Sequence, residues 1–277
     1  MTRTQEHILR FLDILRHLAD ARLQDLSEDT TEAQWYEPWN FILNRVVENI
    51  SKDLTVAPQC RLVRIHITED DNTSTFCSGI PAHSQRFKLL IGDDELTDNF
   101  SIIGNTSLDD LDEEKNYRLV KRTQIPDFAI FYSLLGAKLR ILPVIVEIKP
   151  PKAFGGFQRD SLEAIQYHMQ VMVPQTLQQA RHAFACYSEM GGIDFLCVIG
   201  EYWLHYYIDR SHESILPSMH DDDHTSSVIV HKYAAMLARK KPQKIYTDDR
   251  KSYSNEFKEV WNMVSERLAL KDVIQWD

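Results

Sequence analysis

Closely spaced cysteines are missing from this chain of 277 residues. The four cysteines that it has, Cys60, Cys77, Cys186 and Cys197, are scattered and form no Cys-x-x-Cys pair. Structural zinc sites and disulfide frameworks normally show closer or more regular spacing. We therefore expect four reduced thiols, which is the usual state of cysteine inside a cell.

Long hydrophobic runs and an N-terminal signal sequence are also missing. No segment approaches the roughly 18 to 20 apolar residues that a membrane helix requires, and residues 1–6 lack the basic-then-apolar order of a secretory signal. Hydrophobic residues nevertheless make up 43% of the chain and aromatic residues 10%, which is typical of a globular protein. The composition predicts a folded intracellular protein, nuclear or cytoplasmic, with no membrane partner.

Positive charge is the third feature in short supply. The formal net charge is -10, and this disfavours a nucleic-acid partner because duplex binding depends on Lys and Arg side chains that neutralise phosphates. Many acidic residues cluster, however, in segments 93–95, 109–114 and 221–223, which have the polar character of solvated loops. Basic residues gather elsewhere, mainly in segment 239–251, so a local basic groove remains compatible with the acidic total.

Apolar periodicity predicts a mixed α/β fold with helices at both ends. We expect helices over 4–23, 32–54, 160–173, 175–190, 228–239 and 254–270, and strands over 61–68, 122–132, 139–149, 195–199 and 203–208. The stretch 87–91 is a further strand candidate in an otherwise polar region. The predicted organisation is an N-terminal helical extension over 1–30, a core over 31–210 with an acidic insertion near 69–115, and a C-terminal loop and helices over 211–277 packed on the core.

Charged residues interrupt two of the predicted strands. Asp127 follows Pro126 and precedes an apolar run, and Glu147 and Lys149 end the run that begins at Val144. Burying an unpaired charge costs several kcal/mol or more unless a partner or a metal compensates, on the order of the usual burial penalties. The three charges therefore indicate either a buried ion pair or a metal-dependent active site, and we favour the second interpretation.

The alternation of side chains along a strand places Glu147 and Lys149 on the same face. If the strand of Asp127 pairs with theirs, two carboxylates come close together and repel each other unless a cation lies between them. Oxygen ligands with open water positions suit Mg²⁺ or Mn²⁺. Such a metal would activate water for phosphodiester hydrolysis, while Lys149 would orient the water or offset developing charge.

An acid-x-lysine triplet alone is weak evidence, because the same pattern recurs at 113–115, 249–251 and 256–258 in polar or helical surroundings. Only Glu147 and Lys149 follow an apolar run, with Pro126 and Asp127 on the strand before. With this order, and the glutamine-bearing helix and strand pair that follow, the segment 34–209 resembles the PD-(D/E)XK nuclease superfamily, which includes many fungal nuclease-like proteins. The resemblance implies a restriction-endonuclease-like core, a central mixed sheet flanked by helices.

The resemblance also implies roles for individual residues. Asp127 and Glu147 would be metal ligands, the backbone carbonyl of Ile148 would complete the site, and Lys149 would be the catalytic lysine. Family members often add an acidic residue from the helix before the first strand. Glu37 is the first candidate for that position and Glu48 the second.

Many members also carry a glutamine on the helix after the lysine strand. Gln178 or Gln179 fits this position, although the interval from Lys149 is long enough that Gln166 or Gln170 could serve instead. The implied function is Mg²⁺- or Mn²⁺-dependent hydrolysis of DNA, or less readily of RNA. The alternative is a catalytically inactive module that keeps the fold and binds nucleic acid or protein.

Two further patterns have both a structural and a functional interpretation. The strand that contains Tyr202, Trp203, Tyr206 and Tyr207 is unusually aromatic, and core packing is favoured over base stacking. The basic segment 239–250 is interpreted as a solvated linker rather than as a phosphate contact.

Overall fold

The computed structural model describes residues 33–69, 117–134, 139–153, 155–216 and 224–270, and five positions between Ile14 and Ala21. The elements follow one another in the order helix, five strands, two helices, two strands, helix, strand, helix. Their bounds are α1 (Ala33–Ile50), β1 (Leu54–Pro58), β2 (Leu62–Glu69), β3 (Tyr117–Gln124), β4 (Phe128–Leu134), β5 (Leu139–Lys149), α2 (Leu162–Val171), α3 (Val173–Cys186), β6 (Gly192–Ile199), β7 (Tyr202–Asp209), a 3₁₀ helix (Arg210–Ile215), α4 (His224–Ala238), β8 (Gln243–Lys244) and α5 (Asn255–Arg267).

A six-stranded mixed sheet forms the centre of the molecule, in the order β1-β4-β5-β6-β7-β8. The strands β5 and β6 are parallel, and the other neighbours are antiparallel. A parallel pair needs a crossover connection, and α2 and α3 provide it here. The sequence-based expectation of a mixed central sheet flanked by helices is confirmed.

Three details of the predicted strands are wrong. The central sheet begins with β1, a five-residue strand that was not predicted and of which only Leu54 falls in the helix expected over 32–54. Segment 61–68 forms β2, which pairs with β3 in a separate two-stranded sheet. The single strand expected over 122–132 is two strands, because Pro126 has no N–H to donate to a ladder and interrupts the run. The strand candidate at 87–91 lies outside the described residues.

The sheet separates two hydrophobic cores. On one face, α1 and α5 pack through Trp39, Phe257 and Trp261 against the β5 side chains of Val146 and Ile148. On the other face, α2, α3 and α4 cover the alternate residues of the same strands, among them Ile145, Phe195 and Ile199. Burying each of these large apolar side chains stabilises the fold by about 1.5–3 kcal/mol. Because Ile145, Glu147 and Lys149 are alternate residues of β5, Glu147 and Lys149 project on the face that α3 covers.

The ends of the crossover helices follow local sequence signals. The side chain of Ser161 caps α2 by accepting a hydrogen bond from the N–H of Ala164. The helix therefore begins after Ser161 rather than at 160. Pro174 lies in the first turn of α3, where its missing N–H leaves no helical hydrogen bond unmade. These signals determine where α2 and α3 begin.

Helical residues of the N-terminal segment also contribute to the first core. Ile14, Leu18 and Ala21 are helical and buried in the cluster that contains Trp39. Their spacing of four and three residues places them on one helical face. Among the residues that the structure describes, no helix is both long and apolar enough to span a membrane.

Candidate active site

The charged residues of the two interrupted strands meet where β4 begins and β5 ends. The antiparallel register places Phe128 opposite Val146, and Asp127, one residue before Phe128, therefore comes opposite Glu147. Both carboxyl groups are buried, with Asp127 6% exposed and Glu147 1% exposed. Pairing of the two strands, which the sequence analysis assumed, is thus present in the structure.

Two hydrogen bonds fix the Asp127 carboxylate. The Tyr36 hydroxyl of α1 donates to Oδ1 at 2.5 Å, and the backbone N–H of Ile148 donates to Oδ2 at 2.6 Å. Burial and the neighbouring Glu147 carboxylate raise the pKa of Asp127 to about 6, against the opposing effect of these bonds and of Lys149. The negative charge of Asp127 is therefore only partly compensated by the residues around it.

Three side chains hold the Glu147 carboxylate. The ammonium group of Lys149 donates to Oε1 at 2.7 Å, Gln175 of α3 donates to the same oxygen, and Gln179 of α3 donates to Oε2 at 2.8 Å. The carbonyl oxygen of Gln179 is itself buried and accepts no hydrogen bond from the described residues. The site thus combines two carboxylates, one ammonium group and two amides.

Two of these residues were missed in the sequence analysis. Gln175 could have been found, because it lies one helical turn before Gln179 and residues four apart share a helix face. Tyr36 gives no comparable signal, since its contact with Asp127 joins positions 91 residues apart. Its only mark in the sequence is that it precedes Glu37, the predicted acidic residue.

The other predicted glutamines lie elsewhere. Gln178 accepts a hydrogen bond from Gln124 at the end of β3, at 3.3 Å, rather than contacting Glu147. Gln166 donates to the carbonyl oxygens of Ala238 and Lys240 and so ties α2 to the end of α4. Gln170 is a half-buried residue of α2. Of the four glutamines considered from the sequence, Gln179 is the one that the structure joins to Glu147.

The two acidic residues predicted from α1 are both exposed. Glu37 directly follows Tyr36, so its backbone lies at the end of α1 that reaches Asp127. Glu48 lies eleven residues further along the helix, roughly 16 Å away along its axis, where it pairs with Arg45 at 3.6 Å. The geometry favours Glu37 over Glu48 as a third acidic group near Asp127.

A set of side chains that could bind a metal on their own is not found in the described part of the chain, where no group of three or more His, Cys, Asp or Glu residues is arranged for it. Asp127 and Glu147 supply two acidic side chains. Any further oxygen ligand would have to be the Ile148 carbonyl, Glu37, Gln179 or water.

Buried polar groups continue below Glu147 between the sheet and α3. Cys197 lies beside Glu147 in the parallel register and shares a hydrogen bond with the hydroxyl of Tyr206. The same hydroxyl is hydrogen-bonded to Thr176 of α3. Burial, reinforced by the Glu147 charge, raises the pKa of the Cys197 thiol to about 12. Cys197 is therefore a neutral packing residue with a polar link to α3, not a nucleophile.

Two histidines near the end of β7 and the aromatic residues of that strand have structural contacts. His205 of β7 and Arg267 of α5 both bond the buried Asp194, and His212 bonds the Tyr233 hydroxyl at 3.0 Å. In the aromatic strand β7, Trp203 and Tyr206 are buried in the two cores, which confirms core packing for these two. Tyr202 and Tyr207 are half-buried.

Comparison with known proteins adds no further information, since no family model, no curated protein and no solved structure matches this chain.

Proposed function

We propose that this protein is a metal-dependent nuclease of the PD-(D/E)XK type, with a restriction-endonuclease-like core, that hydrolyses phosphodiester bonds in DNA rather than RNA. The observation that carries the proposal is the convergence of Asp127, Glu147 and Lys149 from two neighbouring strands into one buried cluster. These are the chemical groups, in the order and on the strands, on which the resemblance to this superfamily rests.

The residues of the cluster fit Mg²⁺ or Mn²⁺. Two carboxylates lie next to each other with one ammonium group, and their mutual repulsion contributes to the raised pKa of Asp127. A divalent cation would relieve this repulsion. Each Asp127 oxygen accepts one hydrogen bond, whereas a carboxylate offers about four acceptor positions. Mg²⁺ usually keeps several waters and takes only one or two protein carboxylates, so Asp127, Glu147 and the Ile148 carbonyl would suffice.

Each residue of the site has a distinct role in this proposal. When bound, the metal would polarise a phosphoryl oxygen and acidify the attacking water. Lys149, whose ammonium group bonds Glu147, would orient the same water or offset the developing phosphate charge. Gln175 and Gln179 fix the plane of the Glu147 carboxylate, and Tyr36 fixes that of Asp127. The ligands are thus oriented before the metal arrives.

Cleavage assays of two matched lysine variants test the proposal. The wild-type protein should cleave DNA in the presence of Mg²⁺ or Mn²⁺ and not with EDTA. Lys149→Ala should reduce the rate by about a hundredfold or more, on the scale of losing one charge-stabilising group. Lys152→Ala removes an exposed lysine three residues further on and should leave the rate nearly unchanged. Failure to cleave duplex, single-stranded and structured DNA or RNA alike would refute a nuclease function.

An inactive nuclease-fold module that binds nucleic acid or protein is the second candidate. It is favoured by one observation: Lys149, Gln175 and Gln179 already satisfy Glu147 by hydrogen bonds, as in a closed structural ion pair. Calorimetry with Mn²⁺ separates the two functions. A nuclease should bind Mn²⁺ in a manner that Asp127→Asn abolishes, whereas a module that has lost its metal should show no binding for this substitution to remove.

A further inference from the structure

A cleft of about 210 Å³ opens at the end of the sheet beside Lys149. Pro151, two residues beyond Lys149, lines it together with Ile199 and Gly200 at the end of β6. Lys149 and Ile199 are partners in the parallel register, and the N–H of Gly200 donates to the Lys149 carbonyl at 3.4 Å. The cleft therefore lies next to the backbone of Lys149, and its lining residues do not include Lys149, Asp127 or Glu147 themselves.

The floor of the cleft is held in a fixed shape by α1. Gly200 has a φ of +59°, and a Cβ atom there would lie 3.1 Å from Pro151 and 3.2 Å from the ring of Trp35. The indole N–H of Trp39 donates to the Gly200 carbonyl at 2.9 Å. Gly200 adopts a backbone conformation that only glycine adopts easily, and its carbonyl is held by the Trp39 indole. The cleft is therefore formed before any ligand binds.

The lining combines aromatic, cationic and acidic groups. Tyr202 is half-buried at its wall, and the Lys244 ammonium lies 5.9 Å from the centre of the Tyr202 ring. Arg159 supplies a second cation. Asp160 and Glu201 also line the cleft, and Glu201 lies 3.8 Å from Lys244. Two cations are thus balanced by two carboxylates around one aromatic ring.

A second cleft of about 550 Å³ continues from the first, and the two share Tyr202 and Lys244. It runs past β8 towards the start of α5. Tyr246 also lines it, but this tyrosine is 5% exposed, packs in the first core and donates its hydroxyl to Glu201. Lys241 lies there together with Asp248 and Glu256, so this part of the groove is not basic either. The whole groove therefore offers one half-buried tyrosine, Tyr202, and polar groups without a surplus of positive charge.

Such a groove suits a single strand better than a duplex. Duplex binding depends on many Lys and Arg contacts to phosphates, and neither the groove nor the chain, with its net charge of -10, has the necessary excess. A single strand depends less steeply on phosphate contacts than a duplex does, and it adds base stacking on aromatic rings, worth about 1–3 kcal/mol per base, to the contacts that it makes. The half-buried Tyr202 has an accessible part for stacking, whereas Trp35, at 2% exposed, is part of the floor.

We propose that this groove binds single-stranded DNA, with the nucleotide next to the cleaved phosphate stacked on Tyr202 and its phosphate near Arg159 and Lys244. The inference rests on the proposed nuclease function, because it assigns the substrate class of the same site. The sequence alone favoured core packing for all four aromatic residues of β7. The structure supports that role for Trp203 and Tyr206. Tyr202 packs partly against the second core and also lines the cleft.

Fluorescence anisotropy in EDTA tests this without any cleavage. Labelled oligothymidylate should bind at least about tenfold more tightly than a blunt duplex of the same length at near-physiological salt, roughly 0.15 M. Tyr202→Ala should weaken binding of the single strand by about tenfold, and Tyr202→Phe, which retains the ring, should preserve it. Tyr167→Ala removes an exposed tyrosine of α2 that lines neither cleft and should have no effect.

Several outcomes would overturn the inference. These are duplex binding as tight as single-strand binding, no binding of either form, or equal effects of Tyr202→Ala and Tyr167→Ala in variants whose melting temperatures match that of the wild type. If metal-dependent cleavage acts on duplex DNA and survives Tyr202→Ala, the nuclease function stands and the single-strand groove is refuted. If the single strand binds through Tyr202 but no substrate is cleaved, the groove stands and the nuclease function is refuted.

Discussion

The Asp127 carboxylate occupies a position that disfavours its charge. Burial and the carboxylate of Glu147 raise its pKa from the usual 3.8 to about 6. A packing role alone gives no reason to keep a carboxylate there, since an uncharged side chain would avoid this cost. Functional residues are often kept at such a cost to stability, and the raised pKa of Asp127 therefore supports the proposed metal site.

Asp127→Asn should stabilise the metal-free protein at neutral pH. The pKa of Asp127 is higher in the folded state than in the unfolded state, so the wild-type protein gains stability as the pH falls through about 6 and loses it as the pH rises. Asparagine removes this dependence and can still accept the Ile148 N–H. At pH 7 the variant should be more stable by on the order of 2 kcal/mol, and near pH 4 this difference should largely disappear.

Urea unfolding in EDTA at both pH values measures the effect. Asp248→Asn changes an exposed aspartate and is the matched control, for which we expect a change within about 0.5 kcal/mol. A lower stability of Asp127→Asn at pH 7 would mean that the hydrogen bonds of Asp127 outweigh the cost of its charge.

At the scale of single elements, helix α3 holds the Glu147 carboxylate in place through two glutamine side chains. Gln175 and Gln179 lie on the same face and together contact both oxygens of Glu147, while Gln178 points to Gln124 of β3. The helix is anchored independently of these contacts by its buried residues, among them Leu177 and Ala180. Gln175 or Gln179 can therefore be substituted without unfolding the helix.

Gln175→Ala should weaken Mn²⁺ binding by about tenfold or more, because residues that orient a metal ligand typically contribute that much. Gln178→Ala removes a glutamine of the same helix that does not contact Glu147 and should change the affinity less than about twofold. Isothermal titration with Mn²⁺ provides the measurement, and circular dichroism confirms that both variants are folded. Equal affinities of the two variants would show that the amide of Gln175 does not position Glu147.

The sequence predicts some elements better than others for physical reasons. The strand β5 and the charges at Asp127, Glu147 and Lys149 were predictable because the apolar run and the acid-x-lysine spacing are local signals. The start of β4 was not, because the strand expected over 122–132 ran through Pro126. The strands β1 and β8, of five and two residues, are defined mainly by the neighbours they pair with, and no local pattern reveals them. Tyr36 belongs to the same category, because its role depends on a contact between distant parts of the chain.

At the scale of the whole molecule, the first core makes helix α5 part of the support of the central sheet. Helix α5 buries Trp261 completely in the same cluster as Trp39 of α1, and its last residue, Arg267, bonds Asp194 of β6. The C-terminal helix thus stabilises the sheet that presents Asp127 and Glu147, although it contacts neither of them in the described contacts.

Trp261→Ala should therefore destabilise the protein by about 3–5 kcal/mol, the usual range for a buried aromatic side chain. Met263→Ala changes a 36% exposed residue of the same helix and should cost less than about 1 kcal/mol. Denaturant unfolding followed by far-ultraviolet circular dichroism, which does not rely on tryptophan fluorescence, compares the stabilities of the two variants. A small effect of Trp261→Ala would indicate that α5 is peripheral to the stability of the sheet.

The β2–β3 ribbon has a consequence for how this protein can change over evolution. Glu69 and Tyr117 stand opposite each other in its register, so the two ends of segment 70–116 are adjacent. Doubling the length of a closed loop costs only about 0.6 kcal/mol in closure entropy. A change in the number of residues between Glu69 and Tyr117 therefore weakens the pairing of β2 with β3 only slightly, and selection for this ribbon tolerates differences in chain length there.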